Sequence, residues 1–202
     1  MTRATVLRAS NYRRMPWKNG GGETVEVAVS PKGAALSDFD WRVSMATVAT
    51  DGPFSIFPGI DRTLSIIDGN GMQLAIDGDD PLLLTQDSAP LAFAADVAVT
   101  ATLAQGPITD LNVMTRRDGL RHRVERVDID SRATVQPAAP TWLLLCHQGA
   151  LTVEWSGESV DLGPGDTLLL EQAGDVELLL EQPGDVEVSG RARCFLILID
   201  PV

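Results

Sequence analysis

Short runs in which apolar and polar residues alternate, each closed off by glycine or proline, restrict this chain to a β sandwich or barrel. The runs are Glu23 to Ser30, Trp41 to Val48, Phe54 to Phe57, Thr63 to Ile67, Met72 to Ile76, Val97 to Leu103, Arg123 to Ile129, Trp142 to Cys146 and Ala150 to Trp155. A period of two puts every second side chain on one face of a strand, so each run describes a half-buried strand. Between them stand turn signals: Pro31-Lys32-Gly33, Asp68-Gly69-Asn70-Gly71, Asp77-Gly78-Asp79-Asp80, Gln148-Gly149 and Gly163-Pro164-Gly165-Asp166. No helical period of useful length occurs, and 18 glycines and 12 prolines would be hard to place in helices. The fold class is therefore all-β.

The 202 residues, 44% of them apolar, suffice for a globular core. The start, Met1 to Arg8, has no apolar run of signal-peptide length, and no stretch reaches the ~18 apolar residues of a membrane span. The expected location is the cytoplasm, without membrane association. Cys146 and Cys194 both fall in apolar strand-like runs and read as buried thiols rather than as a disulfide framework. A net charge of −12 argues against nucleic acid, whose phosphates reward a basic surface. The charge is uneven, because no Lys or Arg occurs from Thr63 to Thr115 or from Ala133 to Gly190. Convergence of Lys18, Arg42, Arg62 and Arg116 on one cavity would mark a small-anion site in an otherwise acidic protein.

A seam is expected near Gln105-Gly106-Pro107, dividing the chain into an N-terminal half, 1–107, that holds the ligand site and a C-terminal half, 108–202; a later break at Gln136 to Pro140 is the alternative. The second half contains a tandem repeat over 168–187: LLLEQAGDVE is followed by LLLEQPGDVE, differing only at Ala173 and Pro183. Ten is even, so either copy presents the same faces to a given strand slot, and the surplus is expected in a lengthened hairpin or projecting loop.

Only two histidines, His122 and His147, are present, too few for a histidine-based metal centre of the kind small β-barrels build. No metal or organic cofactor is expected. The nucleophile elbow, phosphate loop and dinucleotide fingerprint are all missing; the glycines at 20–22 are not followed by Gly-Lys-Ser/Thr. What remains is a set of side chains suited to a carboxylate or amide. Lys18 and Arg62 supply charge-assisted donors. Asn19, Thr24, Ser44 and Asn112 would fix orientation, and Trp17, Trp41, Phe54, Phe57 and Met114 would wall a planar or apolar part. Asp61 and Arg62 alternatively pair with each other, or with Arg42, to hold a turn.

Four segments carry a resemblance: Met15-Pro16-Trp17-Lys18-Asn19-Gly20-Gly21-Gly22-x-Thr24, then Asp40-Trp41-Arg42-x-Ser44, then Gly52-Pro53-Phe54-Ser55-x-Phe57-Pro58-Gly59-x-Asp61-Arg62, and Asp110-x-Asn112-x-Met114-x-Arg116. Together they resemble the HutD/Ves family. That resemblance implies a bicupin, with two double-stranded β-helix (jelly-roll) barrels in one chain, and Gly163-Pro164-Gly165-Asp166 is similar to the turn of a cupin barrel. It further implies association with histidine utilisation, where such proteins are thought to sense or buffer an intermediate such as urocanate or N-formylglutamate; related Ves proteins are linked to stress. No established catalysis comes with it.

Three functional readings follow. The first is a metal-independent protein that binds a small carboxylate and regulates or buffers a pathway. The second is a metal-independent isomerase or lyase acting on a small acid or sugar, with Asp61 or His147 as general base. The third is an interaction module whose acidic C-terminal half docks a basic protein. Edge strands of such halves suit pairing across a two-fold axis, which makes a homodimer the expected assembly without fixing it.

Overall fold

The computed structural model describes residues 2–136, 139–172 and 185–202. It begins with β1 (Thr2–Leu7) and a 3-10 turn at Ala9–Asn11. Then come β2 (Arg13–Pro16), β3 (Gly22–Ser30), β4 (Trp41–Val48), β5 (Gly52–Pro53), β6 (Ile60–Asp68), β7 (Met72–Ile76), β8 (Leu82–Leu84), β9 (Leu91–Ala94), β10 (Val99–Leu103) and β11 (Ile108–Arg116). The rest is β12 (Leu120–Ile129), β13 (Arg132–Val135), β14 (Thr141–Trp155), β15 (Glu158–Leu162), β16 (Thr167–Gln172) and β17 (Val186–Pro201). The chain is all-β, with no α-helix among the described residues. Most of the tandem repeat, residues 173–184, lies outside them, so the expected hairpin or loop there has no counterpart to compare.

Contacts divide the chain into one unit of Tyr12–Arg121 with Pro201–Val202, and another of Met1–Asn11 with His122–Asp200. This division differs from the seam expected at 107/108, and strand pairing gives the reason. β11 lies between β4 and β6, so residues 108–116 are held by strands of the first half. β1 pairs along its whole length with β16, Thr5 facing Leu169, so the extreme N-terminus belongs with the second half. Asp166 adds to that attachment, accepting from the Ala9 amide at 2.9 Å and from Arg8 at 2.7 Å.

In the 122–200 unit a seven-stranded sheet runs β1-β16-β14-β17-β12, with β13 on β17 and β15 on β14. Its core gathers Trp142, Leu144, Val153, Leu168, Leu170, Val188, Ile129 and Leu198. The expected strands Trp142 to Cys146 and Ala150 to Trp155 are one strand, β14, interrupted by a bulge between Cys146 and Gln148. Gln148-Gly149, which reads as a turn, lies in that interruption; a Cβ on Gly149 would come within 2.1 Å of the Arg191 carbonyl oxygen, so only glycine allows the strands to continue. Cys146 and Cys194 face each other across β14 and β17, both buried and both free, in keeping with buried thiols.

The 12–121 unit has two sheets. Six strands run β2-β3-β4-β11-β6-β9 and four run β5-β10-β7-β8. Val48, Leu64, Ile66 and Ile108 of the larger sheet share a core with Met72, Leu74, Leu84, Val99 and Ala101, all from the smaller. Face-to-face packing of two alternating sheets accounts for the period-two pattern in the sequence.

Candidate functional site

The face of the six-stranded sheet that supplies this core does not stay apolar along its length. Cross-strand partners share a face, and the register defines three successive rows. Met15, Thr24, Ala46 and Asp110 form the first, ending against Ile66. Glu26, Ser44, Asn112 and Leu64 form the second, and Arg42, Met114, Arg62 and Phe93 the third. Beyond the apolar core the same surface thus turns polar, and a cavity of about 730 Å³ opens over it, within the range of small-molecule sites.

Eleven of the residues singled out from the sequence line this cavity: Trp17, Lys18, Asn19, Thr24, Arg42, Ser44, Phe54, Phe57, Arg62, Asn112 and Met114. Lys18 and Asn19 come from the β2–β3 connection, whose glycines do not line the cavity. The glycines serve the turn itself. A Cβ on Gly22 would meet the Thr47 carbonyl oxygen at 2.1 Å and the Trp17 ring at 3.0 Å, so this residue lets β3 start tightly against β4 beneath the indole. Trp17 is oriented by its Nε1–H donating to Thr24 Oγ1 at 2.8 Å, and Asn19 Oδ1 accepts from the Gly21 amide at 3.0 Å.

Arg62 is almost fully enclosed, with 6% of its surface exposed, as is Arg42 at 5%. Its guanidinium carbon lies 5.3 Å from the ring centres of Phe54 and Phe57 and 5.8 Å from that of Phe93, an aromatic cage that replaces lost hydration with cation–π attraction. Burial lowers its pKa to about 10, opposed by the Asp110 charge and assisted by Arg42, so it stays cationic at neutral pH. Arg42 donates Nε to Glu26 Oε2 at 2.9 Å and NH1 to Ser44 Oγ at 3.3 Å. Asp110, 1% exposed, accepts from Asn112 Nδ2 at 2.5 Å. Burial pushes its carboxyl up to about 7 despite the pull of Arg62, Asn112 and the Ala46 amide. The wall therefore offers cations at Lys18, Arg42 and Arg62, a carboxyl poised near neutrality, and aromatic sides at Trp17, Phe54 and Phe57.

Three expected residues lie outside the cavity. Trp41 and Asp61 share a row with Thr115 one step from the Arg42 row, so alternation sends them to the opposite face; Trp41 is buried there and Asp61 pairs with Arg117 at 2.7 Å. Neither alternative partner foreseen for Asp61, Arg62 or Arg42, applies. Arg116 is in phase with Met114, but Phe39, Ile60 and Ala95 pack with Met114, and the guanidinium donates instead to the Phe39 carbonyl oxygen at 2.9 Å. Asp110, absent from the expected ligand set, stands two residues before Asn112 on the same face, and that period of two was the signal for it. Glu26, the partner of Arg42, was missed likewise; it stands two residues after Thr24 on the same face, ahead of the bulge between Glu26 and Ala28.

His122 and His147 do not line this cavity. Among the described residues no group of three or more His, Cys, Asp or Glu is placed to hold a metal ion. The described residues also contain no helix long and apolar enough to cross a membrane. A shallower depression of about 370 Å³ in the other unit is lined by Glu154, Glu158, Asp185 and Glu187 and repels an anion.

The sequence profile of the HutD family matches residues 9–188. An uncharacterised 21.2 kDa protein in the hutC 3' region of Pseudomonas putida is 37% identical over 172 residues, covering 85% of this chain and 88% of that protein. Protein Ves of Citrobacter koseri is 40% identical over 123 residues, 58% of this chain and 62% of the relative. The structure of HutD from Pseudomonas fluorescens SBW25, in a formate condition, superposes with a TM-score of 0.80 at 34% identity, covering 99% of this chain and 100% of the other. A cupin 2 conserved barrel domain protein from Leptotrichia buccalis shares the fold alone, with a TM-score of 0.56 at 10% identity over 93% of this chain and 96% of its own.

Proposed function

This chain belongs to the HutD family, and from that membership we propose that it is a metal-independent cytoplasmic receptor for a small carboxylate, acting in histidine utilisation as a regulator or buffer of an intermediate of the urocanate or N-formylglutamate class. In this reading the 12–121 unit is the ligand-binding barrel of a bicupin and the 122–200 unit its second barrel. The observation that carries it is the convergence of Lys18, Arg42 and Arg62 on one aromatic-walled cavity of an otherwise acidic chain. Opposite charge and planar fork geometry make Arg62 the carboxylate anchor, Lys18 an exposed second cation, and Arg42 a support already neutralised by Glu26. The Phe54 and Phe57 rings exclude water from the Arg62 guanidinium and so strengthen its attraction for an anion. Isothermal titration with urocanate, N-formylglutamate and histidine tests the proposal. Micromolar binding of one of the acids is expected; no heat from any of them at millimolar concentration overturns it.

A second reading is favoured by Asp110. The general bases foreseen for an enzyme, Asp61 and His147, do not reach the cavity, but Asp110 lines it with a pKa of about 7, the value that suits proton transfer at neutral pH. Under this reading a bound acid with a removable proton near Asp110 is isomerised or cleaved. Proton magnetic resonance of the acid in deuterated buffer distinguishes the two: loss of a C–H signal in the presence of the protein, abolished in Asp110→Asn, supports catalysis, and an unchanged spectrum supports binding alone.

A further inference from the structure

Two buried polar atoms in the cavity wall have no hydrogen-bond partner: Arg62 Nε and Asn112 Oδ1. One is a donor and one an acceptor. Their residues are 6% and 8% exposed, and both line the cavity. Leaving either group unsatisfied is costly, and such groups are rare in folded proteins. Nearby protein does not relieve them. Arg62 reaches only the Ser55 carbonyl, through NH2 at 3.5 Å. Asn112 spends its Nδ2 on Asp110 Oδ1, and that bond fixes the amide with its oxygen turned away from the carboxyl. Asn112 pairs with Leu64 and Arg62 with Met114, so the two orphans stand in adjacent rows of one sheet face, as diagonal neighbours ~7 Å apart at their backbones.

An anion beside Arg62 satisfies the donor and does nothing for Asn112 Oδ1. We infer that Asn112 is a specificity-determining residue and that the ligand is an acid carrying, a few ångströms from its carboxylate, a planar N–H donor such as an amide or an azole. The inference rests on the carboxylate-receptor reading and narrows it. A carboxylate oxygen meets Arg62 Nε, the N–H donates to Asn112 Oδ1, and the planar group holding that N–H lies between the aromatic walls. An acid of the same shape without the N–H leaves the Asn112 oxygen unmet, and a site built to bond an N–H or O–H rejects such analogues strongly.

The test is isothermal titration of the full chain with two matched pairs: urocanate against 3-(furan-3-yl)acrylate, and N-formylglutamate against 2-(formyloxy)glutarate. The N–H member of at least one pair is expected to bind ten-fold or more tightly than its partner. In Asn112→Leu, with its folding checked by circular dichroism, that preference is expected to shrink below about three-fold while carboxylate binding persists. Equal affinities within both pairs in the unaltered protein overturn the inference and leave the carboxylate reading standing. Absence of binding by all four acids at millimolar concentration overturns both.

Discussion

Asn112 Nδ2 donates to Asp110 Oδ1 at 2.5 Å, a bond between two residues on one face of β11 that steadies a carboxyl of which only 1% is exposed. The charged group that acts on that carboxyl is Arg62 from β6, which lowers its pKa. Burial outweighs the attraction and raises the pKa from 3.8 to about 7.

Stability follows with a definite sign. The folded state holds a proton that the unfolded state has released between those two values, so this group makes unfolding easier as pH rises from about 4 to about 7. Asp110→Asn keeps an acceptor for Asn112 and cannot ionise. It is expected to exceed the unaltered protein in stability by on the order of 4 kcal/mol at pH 8, and by the smaller margin of about 1–2 kcal/mol at pH 5. Urea unfolding of both proteins at the two pH values measures this; the same difference at pH 5 and pH 8 would contradict it.

Arg62 is expected to dominate binding without being needed for folding. Its charge is desolvated within the Phe54, Phe57 and Phe93 cage, and Asp110, the buried carboxyl that feels it, can take up a proton when the guanidinium is gone, so no uncompensated charge is left in the wall. Arg62→Met should therefore fold and lose carboxylate affinity by about 10- to 100-fold, the worth of one charged hydrogen bond. Arg62→Lys keeps the charge but neither the planar stack nor the fork, and a loss nearly as large is expected. Titration of each variant with the tightest-binding acid checks this; unaltered affinity in Arg62→Met would move the anchor elsewhere.

How far the sequence carried these conclusions depended on whether each feature was local. The all-β class was legible because alternation is a property of neighbours, and Lys18, Arg42 and Arg62 were legible because cations are scarce around them. The face of each residue was legible too, had the period been applied strictly: Asp61 and Arg62 are consecutive on β6 and must diverge, whereas Asp110, Asn112 and Met114 must agree. The unit boundary was not, because it depends on β11 inserting between β4 and β6 and on β1 reaching β16, pairings across long stretches of chain. Gln148-Gly149 reads the same for a turn and for an interruption within a strand, and only the partner strand β17 decides between them.

Gly22→Ala should be among the most damaging single methyl additions in the 12–121 unit. The new carbon would lie 2.1 Å from a backbone oxygen, that of Thr47, which can retreat only if β3 and β4 separate. A loss of roughly 1–3 kcal/mol is expected, as for other overpacking substitutions, together with a change in the near-ultraviolet signal of Trp17, whose ring stands 3.0 Å from the same position. Gly119→Ala is the matched control, since nothing stands within 4 Å of its added carbon. Equal stability of the two variants in urea would remove the steric role assigned to Gly22.

Removal of one copy of the repeat should leave the 122–200 unit folded. The first copy contributes Leu168 to Gln172 to β16, and the second contributes Val186 and Glu187 to β17; deleting Glu171 to Leu180 joins Leu170 to Glu181-Gln182 and so restores the same five residues, LLLEQ, at the end of β16. Pro183-Gly184 then links that strand to Asp185. The two ends are held near the same short stretch of chain: the Gln172 amide donates to the Pro140 carbonyl oxygen at 2.8 Å, and Gln136 donates to Asp185 at 3.1 Å. Four residue steps from 136 to 140 span at most ~14 Å, and the three steps of the shortened link reach ~10 Å, so closing the link is expected to draw a few residues out of the strand ends. Because ten is even, every restored side chain keeps its face, with Leu168 and Leu170 still in the core. A single cooperative urea transition with nearly the original slope is expected for the deletion variant. A broad or missing transition would mean that the intervening residues are part of the core.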